Sequence, residues 1–211
     1  MFWDRISALY DLLENVYNRK GYTETGQKVS DYMESGDDVL ECACGTGGIS
    51  VHLALKCGKL IATDFSDGML RRAEKKCRRL DNVTFKKADI TRLEFSDESF
   101  DKTVAGNVIY FLPEPKLAVE ELLRVTKPGG KVIIPTYINQ EKRSGLFAVR
   151  VMEILGAKFR RQFTFESYRN FFSDMGYSGA EFELVDGKMP CAIAVLNKDK
   201  NIHIIGRNFG K

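Results

Sequence analysis

The sequence predicts an α/β fold with a mostly parallel, seven-stranded sheet, helices on both faces and an antiparallel hairpin at the C-terminal end. From residue 39 onward, short apolar runs alternate with amphipathic stretches, a pattern typical of a parallel sheet covered by helices. A glycine-rich turn follows the first apolar run. Near the C-terminus, Asp186 and Gly187 separate two alternating runs, which indicates a hairpin.

The predicted elements follow one another in the order of a wound sheet. Strands are expected at residues 39–42, 60–63, 83–88, 102–106, 132–134, 179–185 and 190–197. Helices are expected at residues 4–18, 22–35, 48–57, 67–79, 115–126, 145–157 and 165–175. Ser66 suits the N-cap of the fourth of these helices, and the Pro128-Gly129-Gly130 run indicates the end of the fifth.

Length and composition narrow the class of protein. A chain of 211 residues suits one domain with its own core. The net charge of +3 is too small to predict a nucleic-acid partner. The first residues lack the apolar stretch of a signal peptide, and no apolar run approaches the roughly 20 residues of a membrane-spanning helix. A cytoplasmic protein, at most peripheral to a membrane, is therefore expected.

The cysteines predict neither disulfides nor a zinc site. Their number is odd and their spacing follows no disulfide framework: Cys42, Cys44, Cys57, Cys77 and Cys191. Cys42 and Cys44 are too close together for a zinc-binding pair. Reduced thiols and no bound metal are the expectation, with a soft-metal site as the alternative.

The segment at residues 39–48 carries the main chemical signal. Glycines in a turn between a strand and a helix allow a ligand to approach the backbone. Dinucleotides and S-adenosylmethionine are both bound at such turns. A dinucleotide site needs a third glycine, and Ser50 stands at that position. Glu41 would repel a pyrophosphate but could orient the ammonium of a methionine moiety, directly or through water. The alternative is a tight turn without a ligand.

Polar residues also follow the next strands. Asp64 ends the second strand, where a carboxylate can accept hydrogen bonds from both hydroxyls of a ribose. After the third strand, Asp89 could accept from an adenine amino group while Ile90 covers the ring. Asn107 and Tyr110 follow the fourth strand, and ligands collect at this edge of such sheets. An ordinary loop acid is the alternative for Asp89.

Taken together, residues 39–134 resemble the S-adenosylmethionine-dependent methyltransferases of the Rossmann-like class. The matching segments are residues 41–47, 64–70, 88–90, 99–101 and 123–130. The resemblance implies S-adenosylmethionine as cofactor and S-adenosylhomocysteine as product. It implies a cofactor site made of Tyr10, Glu41, Ala43, Gly45, Thr46, Gly47, Asp64, Phe65, Met69, Asp89, Ile90 and Asn107. Tyr110 and Tyr137 are expected to line the acceptor pocket, and no residue is predicted as a general acid or base.

The N-terminal residues 3–13 are similar to the opening of the ubiquinone/menaquinone-biosynthesis C-methyltransferases, and bacterial phosphatidylethanolamine N-methyltransferases begin similarly. This resemblance implies that Tyr10 lies over the cofactor as part of a lid; a packed aromatic on a helix is the alternative. Two residues depart from the family pattern, which usually has Asp at the position of Glu41 and Gly at that of Ala43. The alanine suggests a looser constraint at the strand end.

We therefore expect a single domain with four parts: a helical lid at residues 1–36, a cofactor-binding core at 37–135, a substrate lid at 139–164, and a final helix and hairpin at 165–197. Residues 142–161 are basic and amphipathic, so contact with an anionic membrane surface is the alternative to a lid. The expected reaction is methyl transfer to a small-molecule or lipid-like acceptor. A non-enzymatic S-adenosylmethionine-binding module and a nicotinamide-dependent oxidoreductase are the alternatives.

Overall fold

A computed structural model describes residues 2–7, 19–139, 153, 156–187 and 189–199. Its strands are β1 (Asp38–Cys42), β2 (Lys59–Asp64), β3 (Val83–Lys87), β4 (Phe100–Ala105), β5 (Thr126–Tyr137), β6 (Glu181–Val185) and β7 (Cys191–Asn197). They form one seven-stranded sheet in the order β3-β2-β1-β4-β5-β7-β6. The first five strands are parallel, while β7 pairs antiparallel with both β5 and β6. The predicted fold class and terminal hairpin are confirmed.

The helices between the strands are α1 (Arg19–Ser30), α2 (Gly48–Ala54), α3 (Asp67–Cys77), α4 (Pro115–Val125) and α5 (Phe165–Asp174). Residues 2–7 are helical as well. The Ser66 hydroxyl caps α3 by accepting a hydrogen bond from the Met69 amide, as predicted. The helix expected at residues 145–157 lies almost wholly outside the described residues.

Two hydrophobic cores cover the two faces of the sheet, because successive strand residues point to opposite sides. Val39 of β1 packs with Leu53 of α2 in a core that also includes residues of α1 and α3. Its neighbour Leu40 packs with Leu122 of α4 and Tyr168 of α5. Helices α1 to α3 therefore cover one face of the sheet, and α4 and α5 cover the other.

Strand β5 is much longer than the predicted 132–134, and the Pro-Gly-Gly run lies inside it. The register along β4 jumps from Phe100–Thr126 to Lys102–Lys131, so β5 bulges there. Gly129 has a φ of 83° and donates its amide to the Lys198 carbonyl at 2.6 Å. The run thus ends α4 as predicted, but it continues as a bulged strand because β4 and the residue after β7 supply hydrogen-bond partners.

Among the residues that the structure describes, no helix combines the length and the apolar character needed to cross a membrane.

Candidate active site at the carboxyl edge of the sheet

The turn after β1 has the unusual backbone that its glycines predict. Ala43, Gly45 and Gly47 have φ values of 54°, 55° and 81°, all in the left-handed region. The Cys44 amide donates to the Thr63 carbonyl at 2.9 Å, which ties the turn to the end of β2. The expectation of a looser constraint at position 43 is wrong, because Ala43 holds a conformation that favours glycine.

The two glycines of the turn have different surroundings. A Cβ on Gly47 would lie 3.0 Å from the Cα and Cβ of Ala73 in α3. A Cβ on Gly45 would meet nothing within 4 Å. Gly47 therefore allows the turn to pack closely against α3, whereas Gly45 borders open space where a ligand could approach the backbone.

Asp64 joins the turn to the loop that follows β2. One of its carboxylate oxygens accepts from the Gly45 amide and the other from the Ser66 amide, both at 2.9 Å. Burial raises its pKa, and these two amide donors oppose that effect. Each oxygen keeps acceptor capacity for a further donor. Beside it, the ring of Phe65 is 51% exposed.

Glu41 lies beneath the turn rather than on the open edge. It is 1% exposed, and its carboxyl accepts a hydrogen bond from the Ser50 hydroxyl of α2 at 2.5 Å. Burial raises the pKa of Glu41 to about 8. Thr46 is buried too, and its hydroxyl accepts from the Lys76 ammonium at 3.2 Å. Both side chains thus have partners within the protein.

Three further residues of the predicted cofactor site lie around this edge in different environments. Met69 is buried in the first turn of α3. Asp89 is exposed, and its carboxylate accepts from both the amide and the hydroxyl of Thr91. Ile90 is buried in the core under α4 and α5. Although Asp89 and Ile90 are adjacent in sequence, the Asp89 side chain is exposed and the Ile90 side chain points into the core.

Asn107 makes hydrogen bonds to β5 that its position in the sequence does not predict. Its side-chain oxygen accepts a hydrogen bond from the backbone amide of Tyr137 at 2.9 Å, and its backbone amide donates to the Pro135 carbonyl at 2.8 Å. These bonds hold the ends of β4 and β5 together. Tyr10, predicted to lie over the cofactor, falls outside the described residues.

An aromatic cluster, defined as Trp3, Tyr110, Phe111 and Phe159, lies beyond the end of β4. The ring centroids of Phe111 are 4.6 Å from Tyr110, 4.8 Å from Phe159 and 5.0 Å from Trp3. Tyr110 packs into the core under α4 and α5, whereas Tyr137 packs into the core under α1 to α3. The two predicted pocket tyrosines thus belong to opposite faces of the sheet.

Residues 156–163 pack onto the loop after β4. The Arg160 amide donates to the Tyr110 carbonyl at 3.0 Å, and the Arg161 guanidinium donates to the Leu112 carbonyl at 2.8 Å. Arg161, one of the basic residues of the predicted lid or membrane segment, therefore binds backbone carbonyls. Most of that segment lies outside the described residues.

Sequence reasoning missed the contribution of residues 2–7 to this edge. The Asp4 carboxylate accepts from the Ser66 hydroxyl at 2.7 Å and from the Gly68 amide at 2.8 Å. These bonds attach Asp4 to the residues that follow Asp64. Asp4 stands in the N-terminal motif, but only the fold reveals its partners. His52 packs against Gly26 of α1.

All five cysteines are buried and free. Within the described ranges, no three His, Cys, Asp or Glu side chains are grouped in a way that suits a metal ion.

Comparisons with known proteins agree with this geometry. Residues 40–134 match the family described as a methyltransferase domain. The ubiquinone/menaquinone biosynthesis C-methyltransferase of Bdellovibrio bacteriovorus is 36% identical over 138 residues, covering 63% of this chain and 58% of that protein. A demethylmenaquinone methyltransferase of Staphylococcus aureus is 30% identical over 169 residues, covering 75% and 70%.

A solved structure shares the fold at lower identity. The S-adenosylmethionine-dependent methyltransferase of Aquifex aeolicus superposes with a TM-score of 0.68 at 19% identity, covering 93% of this chain and 98% of that one. The chain spans 53 to 58% of the length of the first curated relatives it matches. By its motifs, fold and relatives, the chain belongs to the class I S-adenosylmethionine-dependent methyltransferases, in the group that includes the demethylmenaquinone and ubiquinone/menaquinone-biosynthesis C-methyltransferases.

Proposed function

We propose that the chain transfers a methyl group from S-adenosylmethionine to a ring carbon of a quinol-type aromatic acceptor. The observation that carries the choice of acceptor is the aromatic cluster, which lies at the same edge of the sheet as the glycine turn. One relative described above is named a ubiquinone/menaquinone biosynthesis C-methyltransferase and another a demethylmenaquinone methyltransferase, which supports the same acceptor class.

The donor side fits S-adenosylmethionine at three points. Gly45 borders open space, so a ligand can approach its backbone. Asp64 has lone pairs left for the two ribose hydroxyls. The exposed ring of Phe65 offers an apolar surface to the adenine. Glu41 lies buried beneath the turn, where it accepts a hydrogen bond from Ser50 and supports the turn from below.

The acceptor side suits a flat, apolar ring. Aromatic rings prefer offset or edge-to-face contacts with centroids about 4.5–7 Å apart, and the members of the aromatic cluster already pack in this range. Phe159 reaches the cluster because residues 156–163 bind the loop after β4 through Arg160 and Arg161. This part of the predicted 139–164 lid forms one wall of the acceptor pocket.

The residues of the chain act mainly by positioning. When bound, S-adenosylmethionine would offer its methyl group on a positively charged sulfur. The acceptor's ring carbon would take that methyl with its own electron pair, the S–CH₃ bond would break to leave S-adenosylhomocysteine, and the ring hydrogen would then be lost to solvent as a proton. The aromatic cluster holds the ring, and Asp64 with the glycine turn holds the adenosyl group. Such orientation can supply about 7–11 kcal/mol of the barrier reduction. The ring hydroxyl of a quinol makes the neighbouring carbon electron-rich, whereas oxidation to the quinone removes this property.

The oxidation state of the acceptor provides the test. Purified protein is incubated with methyl-labelled S-adenosylmethionine and a short-chain naphthoquinol that carries a hydrogen beside its hydroxyl. Carbon-bound label in the quinol, and none in the matched quinone, is the expected result. Phosphatidylethanolamine vesicles and small amines complete the panel. Label in the phospholipid or in an amine, and none in the quinol, would show that the acceptor belongs to that class instead.

A further inference from the structure

We propose that Asp4 is a positioning residue that fastens residues 2–7 across the active-site edge, so that Trp3 completes the wall of the acceptor pocket. Residues 2–7 are called the N-terminal strap below. The acceptor part of this inference rests on the proposed function, whereas the fastening itself can be tested without any acceptor.

The donor-side end of the strap is fixed by hydrogen bonds. The Asp4 carboxylate accepts from the Ser66 hydroxyl and the Gly68 amide, and the Ser7 hydroxyl accepts from the Arg72 guanidinium at 3.3 Å. Hydrogen bonds to a carboxylate are stronger than neutral ones. They lower the pKa of Asp4 to about 2, the Ser66 hydroxyl having the largest effect. The strap therefore has a defined point of attachment on α3.

The approach at this point is close enough to need a glycine. A Cβ on Gly68 would lie 2.8 Å from the Cα of Asp4 and 3.0 Å from its carbonyl oxygen. Both are backbone atoms, which cannot rotate away as a flexible side chain could. An alanine at position 68 would consequently displace the strap, while α3 itself tolerates alanine well.

Ser66 connects the attachment to the proposed ribose site. Its amide donates to one oxygen of Asp64, and its hydroxyl donates to Asp4 and accepts from the Met69 amide. Ser66 thus donates hydrogen bonds to the carboxylates of both Asp64 and Asp4, and it also caps α3. The strap is attached next to the group that would hold the cofactor.

The other side of the strap contacts the acceptor half. The Trp3 ring centroid lies 5.0 Å from those of Phe111 and Phe2, and the rings meet edge to face. Phe2 in turn packs on Gly156, where a Cβ would lie 3.2 Å from its ring. Trp3 and Asp4 are adjacent in sequence, yet they contact opposite halves of the edge. The position of Trp3 therefore depends on the attachment of Asp4.

Trp3 reports on the strap directly because it is the single tryptophan among the 211 residues. The experiment measures its emission maximum and acrylamide quenching in wild type, Asp4→Ala, Asp4→Asn and Gly68→Ala. Asp81→Asn, a change at an exposed carboxylate before β3, is the matched control. We expect red-shifted, more quenchable emission in Asp4→Ala and Gly68→Ala, an intermediate value in Asp4→Asn, which keeps one acceptor oxygen, and no change in the control.

The kinetic arm separates positioning from simple stability. In Asp4→Ala, the KM for the naphthoquinol should rise about tenfold, the size expected for loss of charge-assisted hydrogen bonds. The kcat should change much less, and so should the Kd for S-adenosylhomocysteine. Gly68→Ala should give the same pattern, and Asp4→Asn should partly restore the KM.

The outcomes are distinguishable. Unchanged quenching of Trp3 in both Asp4→Ala and Gly68→Ala would overturn the attachment. Release of Trp3 with an unchanged acceptor KM would overturn its place in the acceptor wall. If the wild type methylates no quinol, the proposed function fails, and the fluorescence of the same variants still decides whether Asp4 fastens the strap.

Discussion

The donor and acceptor halves of the active-site edge are built from different interactions. The donor half, after β1 and β2, uses left-handed backbone, the buried carboxyl group of Glu41, the half-buried carboxylate of Asp64 and amide hydrogen bonds. The acceptor half, beyond β4, consists of aromatic rings from three distant parts of the chain: residues 2–3, 110–111 and 159. Changes in the donor half should therefore act through charge and backbone strain, and changes in the acceptor half through lost contact area.

The largest effect should be the pH dependence caused by Glu41. Its folded-state pKa of about 8 exceeds the ordinary 4.5, so the folded protein holds a proton that the unfolded chain releases. The resulting stabilisation is complete below about pH 4.5 and is lost as the pH rises through about 8, with a slope of up to about 1.4 kcal/mol per pH unit. Denaturant unfolding of Glu41→Gln, measured across this range, should lack that slope.

The control for Glu41 is Glu74→Gln, at an exposed position of α3. Burial also raises the pKa of Asp64. Its contribution to the slope has the same sign and is shared by the wild type and Glu41→Gln, so the difference between their slopes reports Glu41. The cysteines near Glu41 titrate only at higher pH, since burial raises the pKa of Cys42 to about 12 and that of Cys77 to about 11. Equal slopes in the wild type and Glu41→Gln would mean that the buried carboxyl is ionised throughout.

Substitutions of the two glycines in the turn should have different effects, one mainly on stability and the other mainly on ligand binding. Gly47→Ala should lower the free energy of unfolding by about 3 kcal/mol, because left-handed strain adds to overpacking against Ala73. Gly45→Ala carries the strain alone, about 1 to 2 kcal/mol, but its methyl group enters the ligand space. Calorimetric titration with S-adenosylhomocysteine should therefore show the larger loss of affinity for Gly45→Ala. The reverse order would place the ligand on the α3 side of the turn.

Asp64→Ala should weaken S-adenosylhomocysteine binding by about 100-fold, since two hydrogen bonds to a charged group are lost. Asp67→Ala is the matched control, because Asp67 is exposed and pairs with Lys87 at 2.7 Å. Thermal melts of both variants show whether the turn survives. Binding within about threefold of wild type, with the fold intact, would exclude Asp64 as the ribose acceptor.

In the acceptor half, Phe159→Leu should raise the acceptor KM about fivefold, equivalent to the roughly 1 kcal/mol of an aromatic pair. The Kd for S-adenosylhomocysteine should not change. Phe182→Leu provides the control, because Phe182 packs on Tyr168 and Phe172 instead. A weaker cofactor Kd in Phe159→Leu alone would show that the two halves are not independent.

The smallest effect is expected at Ala43, whose φ of 54° is left-handed. Replacement by glycine removes this strain but makes the unfolded chain more flexible, so the net gain should be about 0.5 to 1 kcal/mol. Urea unfolding measures it. A loss of stability in Ala43→Gly would mean that contacts of the methyl group outweigh the backbone strain.

The donor half was the more predictable from sequence because its signals are local. Few structures other than a ligand-binding turn have glycines at the end of one strand and an acid at the end of the next. Gly45 and Asp64 could therefore be placed together before the fold was known. Even there, the sequence could not tell which glycine faces the ligand, because the space beside Gly47 is occupied by Ala73 of α3, which comes 26 residues later in the chain.

The acceptor half could not be assembled from sequence, because its members meet only through tertiary packing. Tyr110 was found from its position after a strand, but nothing local relates it to Phe159 or Trp3. Tyr137 was assigned to the same pocket and packs on the opposite face, since its orientation follows from the long register of β5 with β7. Asn107 is predicted from its position after β4 to contact the cofactor, but the hydrogen bond by which its side-chain oxygen joins the ends of β4 and β5 follows only from the fold.

The antiparallel insertion of β7 has a consequence for biosynthesis. This strand is made after every other strand of the sheet, yet it lies between β5 and β6, and all its residues except the last are buried. Until it emerges from the ribosome, β5 presents an open edge along residues 131–137 that any nearby strand can pair with. Translation products that stop before residue 191 should therefore aggregate rather than form a smaller enzyme.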